Sequence, residues 1–179
     1  MYNINDLIYN WSFALFDLAN DEGILKELTA DVVKVIKVLK RNKRYLEILN
    51  SYNVDLDVKF QKIDEAFSGN NIHLINFIKL AAKAAVAKFL IQILVRFVEI
   101  SNQKLNVKYG TIFTTIALDE VKVKEFESKI SKKLNAKVIL KNEIDPSLIA
   151  GIKIKIDDYV VENSISGYLN ELKKSVIKK

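Results

Sequence analysis

A single change of rhythm divides this chain. Up to about Gln103, apolar residues recur at intervals of three and four, the spacing that gathers them on one side of an α-helix. Beyond that point β-branched and aromatic residues crowd together and alternate, as strands require. A chain with one such switch is expected to be mainly α, with a helical domain over residues 1–104 followed by a small α+β domain over 105–179. The boundary falls between Ser101 and Asn106.

Within the first part, Ile4, Leu7, Ile8, Trp11, Leu15 and Leu18 predict a helix over about 3–20. Leu25, Leu28, Val32, Val35, Ile36 and Leu39 predict a second over about 23–40, whose Lys34, Lys37, Lys40 and Arg41 form a solvated face. Two shorter helices follow, one around Tyr45, Leu46 and Leu49, the other around Phe60, Ile63 and Phe67 and ending at Ser68 and Gly69. Between Ile72 and Ile100 the polar residues fall on two stripes. Asn76, Lys79 and Lys83 lie on one, and Lys88, Gln92, Arg96 and Glu99 lie roughly opposite. One packed face cannot serve both, so two helices with a break near Ala84 are expected; with no Gly or Pro there, one long helix packed on alternating sides is the competing reading.

In the second part, Val107–Ala117 has the composition of a strand, and Asp119 is placed to cap a helix that uses Val121, Phe126, Ile130 and Leu134. Lys137–Lys141 and Ile152–Ile156 alternate as strands, Asp157 and Asp158 suit a turn into Tyr159, Val160 and Val161, and Ile165, Leu169, Leu172 and Val176 predict a last helix.

Chemistry is hard to place on this sequence. It has no Cys and one histidine, His73, so thiol nucleophiles, thiolate metal sites and histidine clusters are excluded. No G-x-S-x-G, phosphate-binding loop, dinucleotide fingerprint or H-E-x-x-H occurs. His73 sits at a helix start beside Asn70 and Asn71 with no orienting third group. Asp55 with Asp57, and Asp157 with Asp158, lack calcium-loop spacing and read as turn residues. No catalytic residue, metal or cofactor is expected. The amino terminus lacks the pattern of a secretory signal, and the most apolar run, Ala84–Val98, is broken by Lys88, Gln92 and Arg96, so no membrane span is expected either.

The net charge of +6 raises nucleic acid as a partner. Residues 1–104 carry 14 Lys+Arg against 12 Asp+Glu, however, and 105–179 carry 14 against 10. Cations and anions are mixed, and no aromatic residues interleave with a dense basic patch, which favours a solvated surface over a nucleic-acid interface.

What stands out is a surplus of apolar helix surface. In the first helix Leu7, Trp11, Ala14 and Leu18 form one stripe and Ile4, Ile8, Leu15, Phe16 and Ala19 an adjoining one, together wider than a one-sided surface helix needs. The fifth helix is similar, with Leu74, Phe77, Ile78 and Ala81. Either both helices are central to the bundle, or each offers half of its apolar arc to a partner helix.

Asp145, Pro146, Ser147, Leu148, Ile149, Ala150 and Gly151, followed by Asp158, Val160, Ser164, Ile165, Gly167 and Leu169, resemble the signature of the ATP synthase delta, or oligomycin-sensitivity-conferring, family: D-P-S-L-I-G-G, a short strand, G-D, a hairpin D-G-S-V, then x-G-x-L-x-x-L. Residues Trp11 to Ala19 (W-S-F-A-L-F-D-L-A) resemble that family's Y-A-x-A-L-F-x-L-A. Ala150 takes a position that is often Gly, Asp157 stands before Asp158 where the family has Gly, and Glu162 with Asn163 stand at its D-G turn. Ser166 and Tyr168 stand where the family often has Arg, and Trp11 replaces Tyr.

The resemblance implies a six-helix bundle whose first and fifth helices form a groove for the amino-terminal helix of the alpha subunit. Leu7, Trp11, Ala14 and Leu18 would bound it on one side and Leu74, Phe77 and Ile78 on the other. It implies that the second domain binds the b subunits of the peripheral stalk. The chain would then be a non-catalytic stator subunit, resisting rotor torque at the cytoplasmic side of the cell membrane and touching the membrane only through the complex. The readings from other classes are a basic nucleic-acid-binding protein and an unrelated helix-binding adaptor.

Overall fold

The computed structural model describes residues 3–164 of the chain. It is mostly helical, with a small four-stranded sheet, and divides into two compact units, Met1–Leu105 and Asn106–Lys179. The predicted last helix, built on Ile165, Leu169, Leu172 and Val176, lies outside the described residues.

The first unit contains α1 (Ile4–Asp21), α2 (Leu25–Arg41), α3 (Lys43–Asn50), α4 (Leu56–Phe67), α5 (Ile72–Lys83) and α6 (Leu90–Lys104), with one 3-10 turn (Ala87–Phe89) ahead of α6. Residues from all six helices share one core, in which Leu15, Leu28, Leu39, Leu49, Ile63, Leu74, Ile78, Leu94 and Phe97 are closed to solvent. Full burial of such a side chain contributes about 1.5–3 kcal/mol. Helix α1 starts at Asn3, whose side chain accepts the N–H of Asn5 at 3.1 Å, and stops at Gly23 in a left-handed conformation, φ 69°.

The predicted break near Ala84 is present without a glycine. Ala85 takes φ 54°, its N–H donates to the Ala82 carbonyl at 3.2 Å, and the Val86 N–H donates to the Ala81 carbonyl at 3.0 Å. This pair of reversed bonds satisfies the free carbonyls at the end of α5 and turns the chain toward α6.

The second unit has strands β1 (Val107–Thr114), β2 (Lys137–Ile144), β3 (Gly151–Ile156) and β4 (Tyr159–Ser164), in the order β2-β1-β3-β4, and helix α7 (Glu120–Leu134) between β1 and β2. The β1–β2 pair is parallel, and the β1–β3 and β3–β4 pairs are antiparallel. A second core joins Ile112, Val138, Leu140, Ile154 and Ile156 to Ile130 of α7. Asp119 caps α7 as expected, accepting the Lys122 N–H at 2.7 Å. Side chains of α7 also close the outer edge of β2: Ser131 Oγ accepts from the Val138 N–H at 2.9 Å, and a Glu127 oxygen accepts from the Leu140 N–H at 2.8 Å.

Three expectations for this unit are corrected. β1 ends at Thr114, short of Ala117, because the Thr114 hydroxyl turns to the Ile116 carbonyl at 2.7 Å and the chain leaves the sheet. Val121 is exposed, and Val123 joins Phe126, Ile130 and Leu134 against the core. Glu162 and Asn163 form no turn. They continue β4 to Ser164, and the hairpin reverses at Asp157, φ 49°.

Candidate functional site

Two helices of the first unit leave an apolar groove open between them. α1 turns Ser12, Leu15 and Ala19 into the core, and the Ser12 hydroxyl lies 2.5 Å from the Ile8 carbonyl and 2.8 Å from that of Ile93 on α6. A serine in the core of an amphipathic helix is outside what periodicity predicts; here it fastens α1 to α6. α5 turns Leu74, Ile75, Ile78, Ala81 and Ala82 inward, and its start is fixed by Asn71, whose side chain accepts the His73 N–H at 2.9 Å while its own N–H donates to Asp31 of α2 at 3.3 Å.

With the two helices so oriented, Asn10, Trp11, Ala14, Leu15 and Leu18 of α1 face His73, Asn76, Phe77 and Leu80 of α5 across a groove of about 550 Å³. Trp11 and Phe77 meet edge-on, their ring centroids 5.6 Å apart. Leu18 and Leu80 stay 41% and 54% exposed, so the walls are apolar yet open to solvent. No Lys, Arg, Asp or Glu lines it.

Of the residues selected by sequence, Trp11, Ala14, Leu18 and Phe77 line this groove. Leu7 does not; it is half-buried against the helical core. Leu74 and Ile78 are fully buried beneath α5 and face the core, because α5 is rotated to present the adjoining strip His73, Asn76, Phe77 and Leu80. That strip has the 0, 3, 4, 7 spacing of a single helix face, a signal legible in the sequence. Among the described residues no group of three or more His, Asp and Glu side chains is arranged to hold a metal ion. No described helix is long and apolar enough to cross a membrane.

The family model for the ATP synthase delta (OSCP) subunit matches residues 10–176, across both units. The chain belongs to that family. The ATP synthase subunit delta of Mycoplasma mobile is 33% identical over 170 residues, covering 94% of each chain. The subunit delta of Mesomycoplasma hyopneumoniae strain J is 30% identical over 179 residues, covering 99% of this chain and 96% of the relative. In structure, a chain of the Toxoplasma gondii mitochondrial ATP synthase hexamer superposes with a TM-score of 0.66 over 96% of this chain and 97% of that one, at 13% identity, a likeness of fold. As a delta-family member the chain is a non-catalytic stator subunit of an F-type ATP synthase.

Proposed function

We propose that this delta-family subunit holds the catalytic head to the peripheral stalk through two separate contacts. In the first, the six helices act as one rigid bundle, and the amino-terminal helix of the alpha subunit lies in the α1/α5 groove. The observation that carries this reading is the groove itself: a trough without Lys, Arg, Asp or Glu whose walls, Trp11, Ala14, Leu18, Phe77 and Leu80, fit the apolar side of an amphipathic helix. Ala14 supports it further, since a methyl side chain permits close approach of two helix backbones. In the second contact, residues 105–179 receive the ends of the stalk b subunits.

The work done by such a link is mechanical. Torque on the head must be borne without dissociation, so a slow off-rate matters most, and buried aromatic and aliphatic anchors provide it. The complex would place the subunit at the cytoplasmic side of the membrane. Purification of the tagged chain from detergent-solubilised membranes tests the reading. Recovery of alpha, beta and b subunits in constant ratio is expected; recovery without b, or with nucleic acid in their place, would contradict it.

A further inference from the structure

We infer that a second groove of the helical unit, between α3 and the start of α6, docks an acidic amphipathic helix of a protein partner. This groove measures about 630 Å³ and shares no residue with the α1/α5 groove. Leu46 and Ile91 supply its apolar floor, Lys43 and Lys88 its cations, and Glu47 its one acid.

The cations continue along the chain. Lys37, Lys40, Arg41, Lys43 and Arg44 occur within eight residues with no acid among them, and none of the five pairs with a carboxylate among the described residues. Lys40 and Arg41 have a local reason to be there, since they occupy the last turn of α2, where the negative end of the helix dipole favours positive charge. Lys43 and Arg44 lie beyond that turn. They open α3, whose first turn contains no acid and whose cap residue Asn42 makes no side-chain capping bond. There the positive end of α3 opposes them. Charges kept against the local electrostatics beside an apolar trough are accounted for by a partner that brings carboxylates and apolar side chains together. The stretch differs in charge from the chain before it: up to residue 31 the same unit has Asp6, Asp17, Asp21, Glu22, Glu27 and Asp31 against a single Lys26. A protein helix fits better than a nucleic acid, because no aromatic ring lines the groove to stack on bases.

The test uses the full chain and two fluorescent synthetic helices, each with leucines on one side and either glutamates or lysines on the other, followed by anisotropy at low salt. The glutamate helix should bind, weaken as salt is raised, and lose about tenfold or more in affinity in Lys43→Glu/Lys88→Glu. All titrations are made in the Trp11→Ala background, which weakens docking of either helix in the α1/α5 groove and leaves the second groove to be read. Thermal unfolding of each variant checks the fold, and Lys88→Gln serves as a second variant should the double one fail to fold. Equal binding of the lysine helix, no binding of the glutamate helix, unchanged affinity in the folded variants, or equal competition by a polyuridine oligonucleotide would each overturn the inference.

Discussion

The indole of Trp11 meets the ring of Phe77 at 70° with centroids 5.6 Å apart, and it is the one aromatic contact between α1 and α5 among the described residues. The pair bridges the two helices at the groove. Edge-on aromatic pairs of this kind contribute about 0.5–1.5 kcal/mol beyond the area they bury. A double-mutant cycle with Trp11→Ala and Phe77→Ala, read by urea unfolding, should therefore show a coupling in that range; strictly additive losses would mean that the rings are neighbours without being partners.

Two buried serines behave in opposite ways. Ser12 has two carbonyl acceptors within reach, whereas Ser101 on α6 is fully buried and its hydroxyl has no partner among the described residues. Ser12→Ala should destabilise the helical unit by about 1 kcal/mol or more, and Ser101→Ala should leave stability unchanged or raise it. Denaturant midpoints measured side by side decide the matter, and a loss at Ser101 equal to that at Ser12 would contradict the geometry.

Ala85 occupies a left-handed conformation that glycine adopts without penalty. Ala85→Gly should stabilise the chain by about 0.5–1 kcal/mol, the strain relieved being partly offset by the greater freedom of glycine in the unfolded state. A lower melting temperature would show that the turn between α5 and α6 is not strained.

The same turn shows how far the sequence reaches. Opposed polar stripes at Asn76–Lys79–Lys83 and Lys88–Gln92–Arg96 were enough to place the break, because a helix cannot bury both of its sides in one core. The rotation of α5 was not recoverable in that way. Its apolar arc is wide enough that Leu74 and Ile78 read as well for the groove as Leu80, and only packing in the folded bundle, chiefly against α4, decides which of them is covered. Ser12 was hidden for a related reason: periodicity ranks residues by polarity and cannot see that the Ile93 carbonyl waits opposite. In the second unit the turn at Asp157 was legible from two consecutive Asp residues, and the resemblance at Glu162 and Asn163 placed another where the strand runs on.

Tyr45 gives the helical unit a response to alkali. Its hydroxyl donates to the Lys62 carbonyl at 3.0 Å, and burial, aided by the nearby Glu65 carboxylate, pushes its pKa from 10.0 up to about 12. Between these values the unfolded chain releases the proton first, so stability should fall as pH rises from about 10 toward 12. Tyr45→Phe should show a shallower fall over that window in pH-dependent melting, and parallel curves for parent and variant would contradict the assignment.

The account stands or falls on the α1/α5 groove. Calorimetric titration of the full chain with a synthetic peptide of the alpha amino-terminal helix tests it most directly, with thermal unfolding of each variant recorded beside it. Trp11→Ala should weaken binding by about 2 kcal/mol or more if the ring is an anchor, and Ala14→Asp by about 3 kcal/mol, since docking would desolvate an unpaired charge. If both variants remain folded and bind the peptide as tightly as the parent, the alpha helix docks elsewhere on the subunit.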